Sequence, residues 1–408
     1  MSFSQGLSGL SAASQALDVV GNNIANSRTV GFKSASVAFG DVFAGTKIGM
    51  GVQVSDIKQN FSDGVLETGN SELDMGIQGK GFFRLTNEAG RVFYSRNGQF
   101  KTDENNFIIN SQGMYLTGYQ ATGMPPTVTP GGEINRIQIP TEQMTARASD
   151  SGVMNGNLDS GTGNISQNVL PFAPEDSNTY HSVSPVDAFD SLGNRHTINV
   201  YYVKRADNQW DVYSRDITSP VVPVNPPVVV EPVRLEFNNA GKLITTPALL
   251  PVASPAYHGA APLNFTLNLA GMTQQASDSV MNSPSTNGYA PGSMNGFTLG
   301  EKGEVIASYS NGQQQTVAQI LLSDFTNPGG LSSQGNNCWS ETTSSGQPMN
   351  GLSGIGTLGN LYGNRLETSN VDQGNEMVNM IVFQRNYQFN SQTIRTQSEL
   401  LQTLLNIG

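Results

Sequence analysis

FSQGLSGLSAASQALDVVGNNI, residues 3 to 24, places Phe3, Leu7, Leu10, Ser14, Leu17, Gly21 and Ile24 at alternating steps of four and three. Five of these seven are apolar, and that recurrence predicts one apolar stripe along an α-helix over residues 1–25. Ser2 reads as its N-cap, while Gly21, Asn22 and Asn23 weaken its last turn. MVNMIVFQRNYQFNSQTIRTQSELLQTLL, residues 377 to 405, repeats the spacing at Met377, Met380, Gln384, Tyr387, Ser391, Ile394, Ser398, Leu401 and Leu405. A helix from Val371 to Asn406 is about 54 Å long, with Asn370 or Asp372 as its cap and Glu376 complementing the dipole in the first turn. Ser and Gln on the stripe make such a helix marginal alone in water. The two stripes read as partners in a coiled-coil-like pair. The alternative, that each helix packs separately on the middle of the chain, stays open.

Every proline lies between Pro125 and Pro348, which confines turn-rich structure to the middle. Gly81 to Leu85, Arg91 to Ser95 and Gln99 to Thr102 read as short strands, and Asn97-Gly98 as a hairpin turn with positive φ at both residues. Leu263 to Leu269 alternates as a half-buried strand should, as do Ile198, Val200 and Tyr202, with a turn near Asp207-Asn208 and a further strand at Trp210 to Tyr213. The expected fold is mainly β with helical termini: a helix over 1–25, a linker region over 26–69, one discontinuous β domain from 70–145 and 290–366, an inserted outer β domain over 146–289, and a helix within 367–408. Pro220 to Pro232 reads as a Pro/Val-rich loop inside the insert.

Only 13% of the 408 residues are charged, against roughly 25% in ordinary soluble domains. Ser, Thr, Asn and Gln supply the polarity, which suits a surface buried against copies of itself. A net charge of -11 without any Lys/Arg cluster argues against nucleic acid. Cys338 is the single cysteine, so no internal disulfide or cysteine zinc site is available; it reads as a small buried hydrophobe beside Trp339. His181, His196 and His258 lack ligand spacing and read as ordinary residues. No run approaches the roughly 20 apolar residues of a membrane span. The first basic residue is Arg28, so a secretory signal with a basic n-region is not expected.

Gly354-Ile355-Gly356-Thr357-Leu358-Gly359 spells the dinucleotide-binding pattern, but Asn360-Leu361-Tyr362-Gly363 after it is a poor helix start and no βαβ unit surrounds it. No Walker sequence, nucleophile elbow or zinc-protease helix occurs, and the carboxylates are scattered on turns. No catalytic, cofactor or metal residue is therefore expected, and the chain does not read as an enzyme.

The segment after the first stripe contains Asn22, Asn23, Asn26, Thr29, Gly31, Phe32 and Lys33. Gln384, Arg385, Tyr387, Asn390 and Ile394 lie near the end. Together they resemble the terminal signatures of the flagellar axial family of rod, hook and hook-associated proteins. Gly81 to Leu85, Phe93 to Phe100 and Gly113 to Tyr119 are similar to the family's first β domain, and Glu367 to Asp372 to its entry into the C-terminal helix. The large insert separates the chain from the rod members and points to the hook-forming branch.

The resemblance implies a self-assembling helical tube with paired terminal helices innermost. It also implies an extracellular position on the flagellum, reached through the type III export apparatus without a cleaved signal. Implied partners are further copies, the distal rod protein, the hook cap protein and a hook-associated junction protein. Phe3, Leu7, Leu10, Leu17, Ile24, Met377, Met380, Tyr387, Ile394, Leu401 and Leu405 are the expected polymerisation residues, with Phe32 docking between neighbouring subunits. A straight-rod axial protein and, further off, a surface adhesin are the competing readings.

Overall fold

A computed structural model describes residues 3–42, 49–123, 126–166, 170–218 and 231–407. Ser2, expected as a cap, and most of the Pro220–Pro232 loop lie outside the described residues. The chain is mainly β with two long helices, α1 (Phe3–Ala25) and α2 (Gln373–Ile407). It divides into one unit of residues 1–141, 295–308 and 314–408, and a second of residues 142–294 and 309–313.

In the first unit, segments far apart in sequence interleave in one sheet. Tyr115–Gln120 lies between Gln314–Ile320 and Phe82–Thr86, and Val92–Ser95 lies between Phe82–Thr86 and Cys338–Ser340. Phe83 opposes Ser95, Leu85 opposes Leu116 and Tyr94 opposes Trp339. Phe82, Tyr94, Phe325 and Trp339 pack edge to face on one side, the arrangement that ring quadrupoles favour. Cys338 is buried beside Trp339, and burial pushes its thiol up.

The Asn97-Gly98 hairpin does not form. Val92–Ser95 and Phe100–Thr102 pair with other strands, and neither Asn97 nor Gly98 has positive φ. The Asn97 side chain instead accepts from the Gln99 N–H at 3.0 Å, and the Gly98 carbonyl accepts from the Met75 N–H at 2.9 Å. A side chain at Gly98 would overlap the Met75 carbonyl. The dipeptide is a close backbone crossing and not a β-turn, a distinction that composition cannot make.

The second unit stacks two sheets. Ser151–Asp159 pairs in parallel with Leu263–Asn268 along its first residues and with Met272–Gln275 along its last, and antiparallel with Val280–Thr286, while Leu249–Ser254 pairs with Leu263–Asn268. Ser182–Phe189, Arg195–Ala206, Gln209–Asp216 and Val233–Glu236 form the other sheet. Leu263, Phe265 and Leu267 point inward from one sheet, and Val186, Ile198, Val200 and Trp210 from the other. His196, unremarkable in sequence, is buried between Asp216 (Nδ1 to Oδ2, 2.6 Å) and Asp190 (Nε2 to Oδ2, 3.4 Å). Among the described residues no group of three or more His, Cys, Asp or Glu has metal-binding geometry.

The segment expected to be a plain linker contains an antiparallel hairpin, β1 (Ala35–Asp41) with β2 (Val52–Gln59). The Gly354–Gly359 run makes turns between Met349–Gly351 and Asn360–Gly363. No helix follows it, as the context argument required.

Candidate assembly surface: the helix pair and its root

The two helices lie antiparallel, and their touching residues define a register. Asn23 Nδ2 donates to Glu376 Oε1 at 3.1 Å, Gln373 reaches Ser27, Gly9 lies on Asn390, and Gly6 lies on Ile394. Each pair of residue numbers adds to 399 or 400, so Phe3 stands level with Gln397. The turns of α2 beyond Gln397 extend past the start of α1.

The face of α1 that meets α2 and the hairpin is made of small residues. Gly6, Gly9, Ala13, Ala16, Val20 and Asn23 are buried. A Cβ at Gly9 would stand 2.6 Å from Asn390 Oδ1, so this crossing is set by what glycine lacks. The apolar stripe read from sequence is not that seam. Each of its members from Leu7 onward stands one residue on from a seam residue, about 100° around the helix. Phe3 and Leu7 are 50% and 54% exposed, while Leu10, Leu17 and Ile24 are half-buried.

In α2, Met380 and Ile394 do face the seam and are half-buried, but Phe383, Asn390 and Gln397 take the places expected for Gln384, Ser391 and Ser398. Met377, Tyr387, Leu401 and Leu405 are exposed, as are Gln384 and Arg385. The physical reason is steric: a leucine stripe holds helix axes apart, while the glycine–alanine stripe admits closer contact, within a range of about 8–10 Å. The signal was present as small residues at 6, 9, 13 and 16, a spacing of three, four and three.

The root of the pair is where the sequence motifs meet. Asn23 is fully buried; its Nδ2 donates to the Ala35 carbonyl at 2.7 Å and its Oδ1 accepts from the Ala35 N–H at 3.0 Å. Thr29 donates to Asn26 Oδ1 at 3.1 Å, closing the turn after α1, and Asn26 Nδ2 donates to the Asn22 carbonyl at 3.0 Å. Gly31 takes φ +68 and lies against the Arg96–Asn97 backbone, where a Cβ would approach to 2.6 Å; only glycine meets both demands. Its N–H donates to the Glu367 carbonyl at 2.8 Å. Phe32, expected to dock between subunits, is 8% exposed. It is buried in its own chain, leaving little of the ring for a neighbour.

Beyond Phe32, Lys33 Nζ donates to Glu367 Oε1 at 2.7 Å and to the Ser62 carbonyl at 2.6 Å. Arg96 Nη1 donates to Glu367 Oε2 at 3.3 Å, Arg96 Nη2 to the Gly79 carbonyl at 2.6 Å, and the Gly64 N–H to Glu367 Oε1 at 2.9 Å. The Lys33 and Glu367 side chains have no exposed surface, and Arg96 has 2%. Burial, followed by the adjacent Arg96 cation, pushes the Lys33 ammonium below its ordinary value, and Glu367 opposes that shift. Asn370 accepts from the Ser34 N–H at 2.8 Å and donates to the Asn60 carbonyl at 2.8 Å. Asp372, not Asn370, caps α2, accepting from the Gly374 and Asn375 N–H groups. The entry and exit of the helix pair are thus fastened to one buried ion cluster.

Phe39 of β1 meets Phe383 edge to face at 6.1 Å, and Ser8 Oγ accepts from the Val52 N–H at 3.3 Å. The hairpin therefore flanks the crossing. No residue of α2 with a described side chain is fully buried. The outward faces of the pair therefore carry exposed apolar and amide side chains.

Four family models match the chain in order. These are Flagella basal body rod protein (residues 5–33), Flagellar hook protein FlgE/F/G D1 domain (76–156), Flagellar basal body protein FlaE D2 domain (157–289) and Flagellar basal body rod FlgEFG protein C-terminal (363–407). The chain is 45% identical to the flagellar hook protein FlgE of Escherichia coli (strain K12), over 100% of both chains. It is 31% identical to that of Rhizobium meliloti (strain 1021), over 98% of this chain and 97% of the relative. The crystal structure of Helicobacter pylori flagellar hook protein FlgE2 matches 74% of this chain and 100% of its own, with a TM-score of 0.54 at 15% identity, a likeness of fold.

Proposed function

Since this chain belongs to the flagellar hook protein family, a set of structural subunits of the bacterial flagellum, we propose that it builds the hook by stacking its helix pairs into a tube. The observation that carries this is the unspent surface of the helices. Phe3 and Leu7 of α1, and Met377, Leu401 and Leu405 of α2, are at least half exposed. Complete burial from the exposed state gains about 1.5–3 kcal/mol for such a side chain, and a half-exposed one still has about half of that to gain, which another copy supplies. One helix pair offsets little of its own ordering entropy, so the helices gain their full stability in the assembly.

The root cluster holds the helices at a set angle to the β structure, so load passes between them as through a joint that carries torque. Further partners in this reading are the distal rod protein at one end, and the hook cap and junction proteins at the other. The chain reaches this extracellular position through the type III export apparatus.

Electron microscopy of the purified chain after salting-out, which strengthens apolar burial, tests the reading. Curved tubes with a central channel are expected. Straight rods would move the chain to the rod branch, and failure to elongate seeds from purified basal bodies would overturn self-assembly.

A further inference from the structure

The helices carry two exposed stripes that do not face each other. On α2, Val378, Val382, Arg385 and Phe389 follow steps of four, three and four, and all are exposed. Val378, Val382 and Arg385 each stand two residues on from Glu376, Met380 and Phe383, which face α1 and the hairpin. That places the stripe about 200° round the helix from the seam. Met377 and Ile381 widen it and are at least half exposed. Gln392 and Thr396 end it, so it is about 18 Å long. On α1, the stripe runs from the exposed Phe3 and Leu7 through the half-buried Leu10 and Leu17 and is about 21 Å long.

The charges are as sparse as they are matched. Asp18, exposed beside Leu17, is the only charged residue of α1. In α2, Arg395 pairs with Glu399 at 3.7 Å and Glu376 accepts from Asn23. Arg385, in the middle of its stripe, has no ion pair among the described residues, and neither has Asp18. A cation set among exposed valines, isoleucine and phenylalanine is costly to cover unless a carboxylate accompanies the covering surface. The α1 stripe brings one.

We infer that the α1 stripe of one copy packs on the α2 stripe of the next, with Asp18 of one chain paired to Arg385 of the other. The two patches differ and lie on different faces, so the contact is heterologous: each copy uses α1 toward one neighbour and α2 toward the other, and the contact repeats without closing. A partner of other chemistry would have to bring a carboxylate beside an apolar stripe, which this chain already carries in Asp18 and Leu17. This contact rests on the self-assembly proposed above and names the faces through which it proceeds.

Charge reversal tests the pairing. Asp18→Arg and Arg385→Asp each raise the critical concentration for tube formation about fivefold, the loss of roughly 1 kcal/mol per contact. The double variant restores it to within about twofold. Both side chains are exposed, so circular dichroism and Trp339 fluorescence of the monomers stay unchanged. A second measurement is independent of charge: chains carrying Asp18→Cys mixed with chains carrying Arg385→Cys give disulfide-linked dimers in tubes on mild oxidation, Cys338 being buried. Wild-type tubes alongside single variants that assemble normally, a double variant worse than either single, or tubes without cross-linked dimers would each overturn the contact alone. A wild-type chain that forms no tubes and elongates no seeds would overturn self-assembly and this contact with it.

Discussion

Glu367→Ala is the sharpest perturbation of the root. Glu367 is fully buried and accepts from Lys33, Arg96 and the Gly64 N–H. Its removal leaves two buried cations without their shared carboxylate, a change that costs about 3–5 kcal/mol. Two features pull the value toward the lower end. Arg96 keeps the Gly79 carbonyl and a partly exposed Asp63 at 3.6 Å, and Lys33 keeps the Ser62 carbonyl. Lys33 can also shed its proton, since burial already lowers its pKa in the folded chain. A folded pKa below the unfolded one means that the unfolded chain binds more protons, so stability rises with pH between the two values. The loss caused by Glu367→Ala therefore shrinks as pH rises toward the ordinary lysine range. Urea unfolding read by Trp339 fluorescence, in a Trp210→Phe background that silences the second unit, measures this. With a slope of about 3 kcal/mol/M, the midpoint falls by about 1 M at pH 7. Replacing the whole cluster, with Lys33→Met, Arg96→Met and Glu367→Leu together, costs less than Glu367→Ala alone, because no charge is then left unpaired. A midpoint shift below about 0.3 M, or a triple variant worse than the single one, would refute the cluster as the fastening of the helix root.

Further outcomes follow from the same geometry. Gly9→Val drives a side chain into Asn390 and lowers the yield of tubes at least tenfold, while urea midpoints of both β units stay within about 0.3 M of wild type. The buried Cys338, whose thiol is pushed up by burial, reacts with maleimide only when the first unit opens, so Glu367→Ala speeds labelling about a hundredfold if opening limits the reaction. In the second unit, burial would raise the Asp216 carboxyl, but hydrogen bonds from Ser254, His196 and the Thr218 N–H outweigh it and hold its pKa below the ordinary value. Its stabilisation is present above about pH 4 and is lost as pH falls through the depressed value. Asp216→Asn flattens that acid limb of a thermal-melting series followed by Trp210 fluorescence.

The terminal helices, the β middle and the family were all legible, because periodicity, proline placement and the order of motifs are properties of sequence. What escaped is geometric. A stripe of leucines at heptad spacing says that some partner buries it, but not which, and here the intrachain partner is the neighbouring stripe of glycine and alanine, whose apolar signal is weak. The leucines were thereby left outside the intrachain seam, which the reading misplaced by one residue on α1. Asn97-Gly98 failed for the same kind of reason: the dipeptide signals a special backbone need, and a hairpin turn is only one of the needs that Asn and Gly meet. The ion cluster was out of reach altogether. Lys33, Arg96 and Glu367 stand 63 and 271 positions apart in successive steps, and each looks like an ordinary surface charge until three chain segments converge. Yet each lies inside or at the edge of a motif that carried the family resemblance. A motif whose residues have no local explanation is one whose partners lie elsewhere in the chain. Gly31, Lys33, Arg96 and Glu367 are mutual explanations, every one fixed by another; with Asn23, which Ala35 and Glu376 hold, they turn two marginal helices into a pair with a defined register and a defined departure from the β structure.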